Sequence, residues 1–97
     1  MEIKKNGLAG TLESSDVQIM IAPGTTGIHI DLISDVKKQF GSQIEKTIKS
    51  VLASYQIEQA DVQVVDKGAL DLVIKARTIA AIERSIGKEN EPNWEVF

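Results

Sequence analysis

Apolar and polar residues alternate through the first third of the chain. Val17, Ile19 and Ile21 fall on one side and Gln18, Met20 and Ala22 on the other, as a half-buried strand requires. Ile28, Ile30 and Leu32 repeat the pattern. Between them lies Pro23-Gly24-Thr25-Thr26-Gly27, where proline stops a strand and glycine admits positive φ, so a β-hairpin is expected. Upstream, Leu8 to Leu12 reads as a further short strand that ends at the polar break Glu13-Ser14-Ser15-Asp16.

After Ile33 the period lengthens. Val36, Phe40, Ile44, Ile48, Val51, Leu52 and Tyr55 recur three and four residues apart, which predicts an amphipathic helix of about five turns capped by Ser34 or Asp35. A short strand, Val62 to Val65, follows, and Asp66-Lys67-Gly68 turns the chain. Leu70, Val73, Ala76, Ala80 and Glu83 then trace one helical line, broadened by Leu72, Ile79, Ile82 and Ile86. Leu70 to Ile74 could also be a strand, but the alanine-containing continuation to Ile86 favours helix. Gly87 stands where a helix C-terminus accepts a left-handed residue. The expected fold is α+β: a two-layer sandwich of a mostly antiparallel sheet with two helices on one face. Residues 1–87 form one domain and 88–97 a polar tail whose Trp94 and Phe97 are candidate docking anchors.

Composition narrows the function classes. Ninety-seven residues suit one domain, which buries roughly 60–70% of its unfolded surface. The net charge is −3, lysines are interleaved with acids, and the four aromatics are scattered. Neither a nucleic-acid nor a membrane surface is expected. The chain has no cysteine, which removes disulfides, thiolate nucleophiles and thiolate metal sites together, and favours the cytoplasm. The opening Met1-Glu2-Ile3-Lys4-Lys5 lacks a signal-peptide core.

Little chemistry remains. His29 is the lone histidine, and without convergent ligands or a nucleophile beside it, it reads as a solvated strand residue. Glu13 with Asp16, or Asp66 with Asp71, could do acid and base work, but such pairs arise freely in an acidic chain. Gly7-Leu8-Ala9-Gly10-Thr11 has neither the lysine nor the helix of a phosphate loop. Lys4, Lys5, Lys67 and Arg77 are scattered basic residues that read as solvated surface. Taken alone, Ser14 and Ser15 read as turn residues. A serine acts as nucleophile only when a base takes its proton, and no Ser/His/Asp arrangement is evident. Chemistry at Ser14 would therefore need another protein to supply the base.

At these residues the chain resembles the acyl carrier, or gamma, subunit of citrate lyase. The likeness runs through Ala9-Gly10-Thr11-Leu12-Glu13-Ser14, Asp16-Val17 and Ile21-Ala22-Pro23, then Val36 with Lys38-Gln39-Phe40-Gly41. It continues through Val51-Leu52-Ala53 with Tyr55, Asp66-Lys67-Gly68-Ala69-Leu70-Asp71, Ala76-Arg77 and Trp94-Glu95. The resemblance implies that Ser14 carries a phosphoribosyl dephospho-coenzyme A group through a phosphodiester. Ser15 stands where glycine can occur in relatives.

It further implies a non-catalytic carrier whose arm supplies the thiol that the chain lacks. Acetyl and citryl thioesters would pass between an alpha subunit (acyl transferase) and a beta subunit (citryl lyase), giving acetate and oxaloacetate. A dedicated transferase, the holo-carrier synthase, would load Ser14, and Lys4, Lys5, Lys67 and Arg77 could neutralise the arm's phosphates, although residues so scattered read first as solvated surface. Two alternatives stay open: the carrier of malonate decarboxylase, which uses a similar arm, and a non-enzymatic α+β interaction or regulatory domain. The helical-bundle acyl carriers are excluded, because their Asp-Ser-Leu tripeptide is absent.

Overall fold

The computed structural model describes residues 2–34 and 37–87, the side chains of 37–40 excepted. Asp35, Val36 and the tail 88–97, with its proposed anchors Trp94 and Phe97, lie outside the described residues, as does the side chain of Phe40. The elements are β1 (Gly7–Gly10), β2 (Val17–Ala22), β3 (Ile28–Ser34), α1 (Lys37–Ser54), β4 (Ala60–Asp66) and α2 (Asp71–Ser85). They form a two-layer α+β fold in which a four-stranded sheet, ordered β1-β2-β4-β3, is backed by both helices.

The alternation in sequence is realised in burial. Val17, Ile19 and Ile21 of β2 and Ala60, Val62 and Val64 of β4 are buried beneath the helices. Gln18, Met20, Asp61 and Gln63 fall on the opposite side. Ile44, Ile48, Val51, Leu52 and Tyr55 give α1 its buried stripe, the one its spacing predicts. Each fully buried Ile or Leu contributes about 1.5–3 kcal/mol. Gly87 has φ 80° just past the end of α2.

The expected hairpin is not formed. β2 and β3 are separated by β4, which pairs antiparallel with β2 and parallel with β3. The sheet is thus mixed, antiparallel in two of its three pairings. β3, α1 and β4 make a β-α-β crossover, which brings the nearly continuous apolar face of β4 to the centre of the sheet. The Pro23–Gly27 loop straddles the start of β4: Ala60 N–H donates to the Gly27 carbonyl at 3.0 Å. A β-carbon on Gly24 would come within 2.7 Å of the Ala60 backbone nitrogen, so glycine lets the loop pass this close.

α2 turns inward a face that overlaps the expected one, with Ile79, Ile82 and Glu83 buried, but is shifted toward small and polar residues. Ile74, Thr78, Ala81, Ile82 and Ser85 are buried, whereas Leu70 is 76% and Leu72 67% exposed. Small residues decide this, because α2 lies close over β1. A β-carbon on Gly7 would sit 2.2 Å from the Ala81 carbonyl oxygen. Thr78 and Ser85 enter the core at low cost because their hydroxyls donate to the helix's own carbonyls, Ile74 at 2.7 Å and Ile82 at 2.8 Å. Gly7 therefore serves helix packing, whereas Gly10, at φ 87°, lets the end of β1 pass close to Val17 of β2. Between the helices, Tyr55 donates to buried Glu83 Oε1 at 2.6 Å. Burial, reinforced by that carboxylate, pushes the Tyr55 phenol well above its ordinary range.

Gly7→Ala should lower unfolding stability by about 1–3 kcal/mol through overpacking. Urea denaturation measures it, and an unchanged midpoint would mean that α2 does not lie this close to β1.

Candidate functional site

Gly10, Val17, Asp66 and Ser34 mark one end of the sheet, where β1 stops, β2 begins, and β4 and β3 finish. The chain between β1 and β2 crosses this end as the segment Thr11–Asp16. Asp16 N–H donates to the Glu13 carbonyl at 3.1 Å, and Ser15 has φ 65°. These are the marks of a type II turn with Ser14 and Ser15 at its centre. Ser15 N–H donates to the Lys67 carbonyl at 2.8 Å, while Lys67 N–H donates to the Asp16 carbonyl at 2.9 Å. Ser15 and Asp16 together thus oppose the single residue Lys67, a β-bulge of the kind that normally takes glycine at its first position. The bulge pushes the turn out of the sheet and leaves Ser14 exposed at its apex.

Asp16 locks this geometry. Its Oδ1 accepts from its neighbour Val17 N–H at 2.8 Å and from Arg77 Nε at 3.1 Å. Its Oδ2 accepts from the Thr11 hydroxyl at 2.6 Å and from Arg77 Nη2 at 3.0 Å. One carboxylate therefore ties the two ends of the serine segment together and bolts both to α2. The Thr11 hydroxyl in turn accepts from Glu13 N–H at 3.2 Å. Hydrogen bonding to the Arg77 guanidinium, then to Thr11 and the Val17 amide, holds the Asp16 carboxyl far below the usual carboxylate range. Asp16 is 14% exposed at its side chain and Arg77 41%, so the pair is sheltered on the acid's side and open on the base's.

The turn after β4 supports the same corner. Asp66 is buried, accepts from Ser34 Oγ at 2.8 Å and from Ala69 N–H at 3.0 Å, and so fixes the chain entering α2. Asp71 accepts from Thr47 of α1 at 2.7 Å. Neither carboxylate pair weighed from the sequence makes an acid and base couple. Asp16 is saturated by donors, Glu13 is exposed, and Asp66 and Asp71 serve separate structural bonds. His29 is exposed on β3, and its Nε2 lies 2.9 Å from the Thr26 carbonyl, to which it can only donate. It pairs in register with Asp61, five residues along β4 from Asp66 and about 16 Å from the serine end of the sheet. Among the described residues no group of His, Asp and Glu gathers to hold a metal ion, and no helix is long and apolar enough to cross a membrane.

The basic residues separate cleanly. Lys4 and Lys5 lie at the far end, where their amides donate to the Ser85 carbonyl. Lys67 and Arg77 come to the serine turn, Lys67 through its backbone and Arg77 through its side chain. Thr11 is a site residue that the sequence did not single out, and Arg77 stood there only as one of four scattered cations. The one local signal was a hydroxyl at Thr11 five residues before an Asp, and nothing local announces a partner sixty-one residues away.

Comparison with known proteins adds a family. The sequence profile of the ACP family described as "Malonate decarboxylase delta subunit (MdcD)" matches residues 4–85. The fold is shared with a chain in the crystal structure of a Pseudomonas malonate decarboxylase hetero-tetramer in complex with malonate. The TM-score is 0.69 at 19% identity, covering 87% of this chain and 91% of that one. The protein is therefore an acyl carrier of the sheet-based class. It is 73% identical over 97 residues to the citrate lyase acyl carrier protein of Lactococcus lactis subsp. lactis, and 62% identical to that of Leuconostoc mesenteroides subsp. cremoris, each match covering all of both chains. The chain belongs to the citrate lyase acyl carrier protein family.

Two outcomes test the geometry. Asp16→Asn should destabilise the protein at neutral pH. Because Asp16 titrates lower in the folded chain than in the unfolded one, its contribution is whole above the ordinary carboxylate pKa of about 4 and fades as pH falls below it. The stability gap between wild type and Asp16→Asn should accordingly narrow in acid; a gap independent of pH would sink the assignment. Ser15→Gly should match wild type or gain up to about 1 kcal/mol, and Ser15→Val should lose about 1–2 kcal/mol, since a β-branched residue resists the left-handed conformation.

Proposed function

We propose that Ser14 is the attachment point of the carrier's prosthetic arm, a phosphoribosyl dephospho-coenzyme A group, and that the chain serves citrate lyase without catalysing a step itself. The observation that supports this most directly is the placement of Ser14: an exposed hydroxyl at the apex of a turn whose flanks are fixed by Asp16, Thr11 and Arg77. An apex residue can enter another protein's active site without disturbing the core. The residues present fit a phosphodiester, because the guanidinium of Arg77 lies beside the turn and is 41% exposed. Ser14 and Ser15 both offer hydroxyls, but the Ser15 backbone is bound into the bulge with Lys67, which leaves Ser14 as the group free to be carried into a transferase.

In loading, Ser14 Oγ attacks phosphorus of a triphosphoribosyl donor and expels pyrophosphate, while its proton passes to a base of the transferase, the holo-carrier synthase. Among the described residues no hydrogen bond joins the Ser14 hydroxyl to a base of the chain: His29 is at the far end of the sheet, the Asp16 oxygens are taken by four donors, and Glu13, though adjacent in the turn, is a solvent-exposed carboxylate. The bound arm supplies a thiol for thioester chemistry. The chain then holds the tether fixed at one end while the other visits an alpha subunit (acyl transferase) and a beta subunit (citryl lyase), keeping acyl groups at high effective concentration near both. Citrate is favoured over malonate as the system served because the chain is 73% identical to the Lactococcus lactis citrate lyase carrier and 62% to that of Leuconostoc mesenteroides over their full lengths, whereas its likeness to the malonate decarboxylase chain is one of fold. A cytoplasmic location is part of the same reading.

Ser14→Ala should accept no adduct from the donor and transferase while keeping the wild-type circular dichroism and unfolding midpoint, since Ser14 lies outside the core. Intact mass after incubation provides the check. An adduct moving to Ser15 in that variant would contradict the role given to the bulge.

A further inference from the structure

The cavities near the serine turn differ in charge. One, between α1 and the turn after β4, is walled by Asp66 and Asp71, both unfavourable to a phosphate. A second opening combines Lys46 and Lys75 with Asp71 farther along the two helices. A third is a shallow, open depression on the flank of α2, lined by Leu72, Val73, Ala76, Arg77 and Ala80. Among the described residues its only charged lining residue is Arg77, the residue that grips the serine turn through Asp16. Leu72, which the sequence assigns to the core side of α2, is 67% exposed here, while Val73 and Ala80 beside it are partly buried against the core.

We propose that the proximal part of the arm, its phosphate, ribose and adenosine, lies in this groove rather than swinging free from Ser14. The proposal rests on Ser14 being the attachment point. Asp16 takes two of the five N–H donors of Arg77. The others are available to a phosphodiester on Ser14, which belongs to the same four-residue turn as Asp16. Arg77 can therefore bridge carboxylate and phosphate, a role that lysine, a point charge without the planar fork, fills poorly. Beyond the phosphate, the sugar and purine meet Leu72, Val73 and Ala76, an apolar floor suited to a flat aromatic ring. The pantetheine end emerges from the groove and keeps its reach. Docking the first segment shortens the effective tether, which raises the local concentration of the thiol.

The test compares apo and loaded full-length protein by NMR of methyl groups and of the Arg77 Nε–H, with intact mass confirming complete loading. Loading should shift the methyl signals of Leu72, Val73, Ala76 and Ala80 by the purine ring current, and shift Arg77 Nε–H, while Leu8 and Ile33 stay unmoved. Ala76→Glu puts a carboxylate in the groove and should abolish the shifts without reducing loading. Leu72→Gln, at a residue exposed enough to be harmless to folding, should diminish them. Arg77→Lys should weaken them as well. Loaded protein with unshifted groove methyls would overturn the proposal. So would methyls that move with protein concentration in the apo form, which would mean a second copy fills the groove, or methyls that move only when the lyase subunits are added, which would mean a partner does. Protein that takes no adduct at Ser14 would instead overturn the attachment reading, and this proposal with it.

Discussion

A single carboxylate organises the working end of this molecule. Asp16 sits where the serine segment rejoins the sheet, and its two oxygens accept four hydrogen bonds, from the Thr11 hydroxyl, the Val17 amide and two nitrogens of Arg77. Each fixes a different degree of freedom. Thr11 closes the segment on itself, Val17 aligns it with β2, and Arg77 ties it to the helix that packs on β1. A polar segment of six residues lacking this carboxylate would cost its full conformational entropy to order. The charge-assisted bonds of Asp16 offset that cost with no apolar burial, which leaves Ser14 clear of the core.

Much of the fold is legible in the order of residues, and the failures share a cause. Local period locates both helices and all the strands, because one-sided burial imposes it. Strand order is not local: β4 separates β2 from β3 because the crossover through α1 returns it to the centre of the sheet, and a Pro-Gly loop can straddle a strand as readily as close a hairpin. The shift in the inward face of α2 was hidden for a different reason. Thr78 and Ser85 look polar in sequence, yet their hydroxyls bond within the helix, and their small size is what a close β1 demands. The serine site was legible only as a break in pattern. Its bulge takes Ser15 at φ 65° where glycine would have signalled it, and its main anchor, Arg77, lies sixty-one residues from Asp16.

These features suit a carrier better than an enzyme acting alone. The sheet and helices give a rigid base, the turn presents Ser14 at its tip, and the acid that anchors the turn, Asp16, is occupied by donors rather than poised to take a proton. Family membership supplies what physical reading could not, namely the kind of cargo and the system served. The geometry is consistent with the proposed attachment at Ser14. Ser14 projects at the corner where the sheet, the turn after β4 and the flank of α2 meet, so an arm rooted there has the apolar side of α2 beside it and open solvent ahead.

The central claim is that Ser14, held out by the Asp16 clamp, bears the arm. The most direct measurement is the intact mass of the protein isolated from its source in active complex, followed by fragmentation to place any adduct. The account predicts a phosphoribosyl dephospho-coenzyme A mass increment confined to Ser14. An unmodified chain in active complex, or an adduct on any other residue, would contradict it.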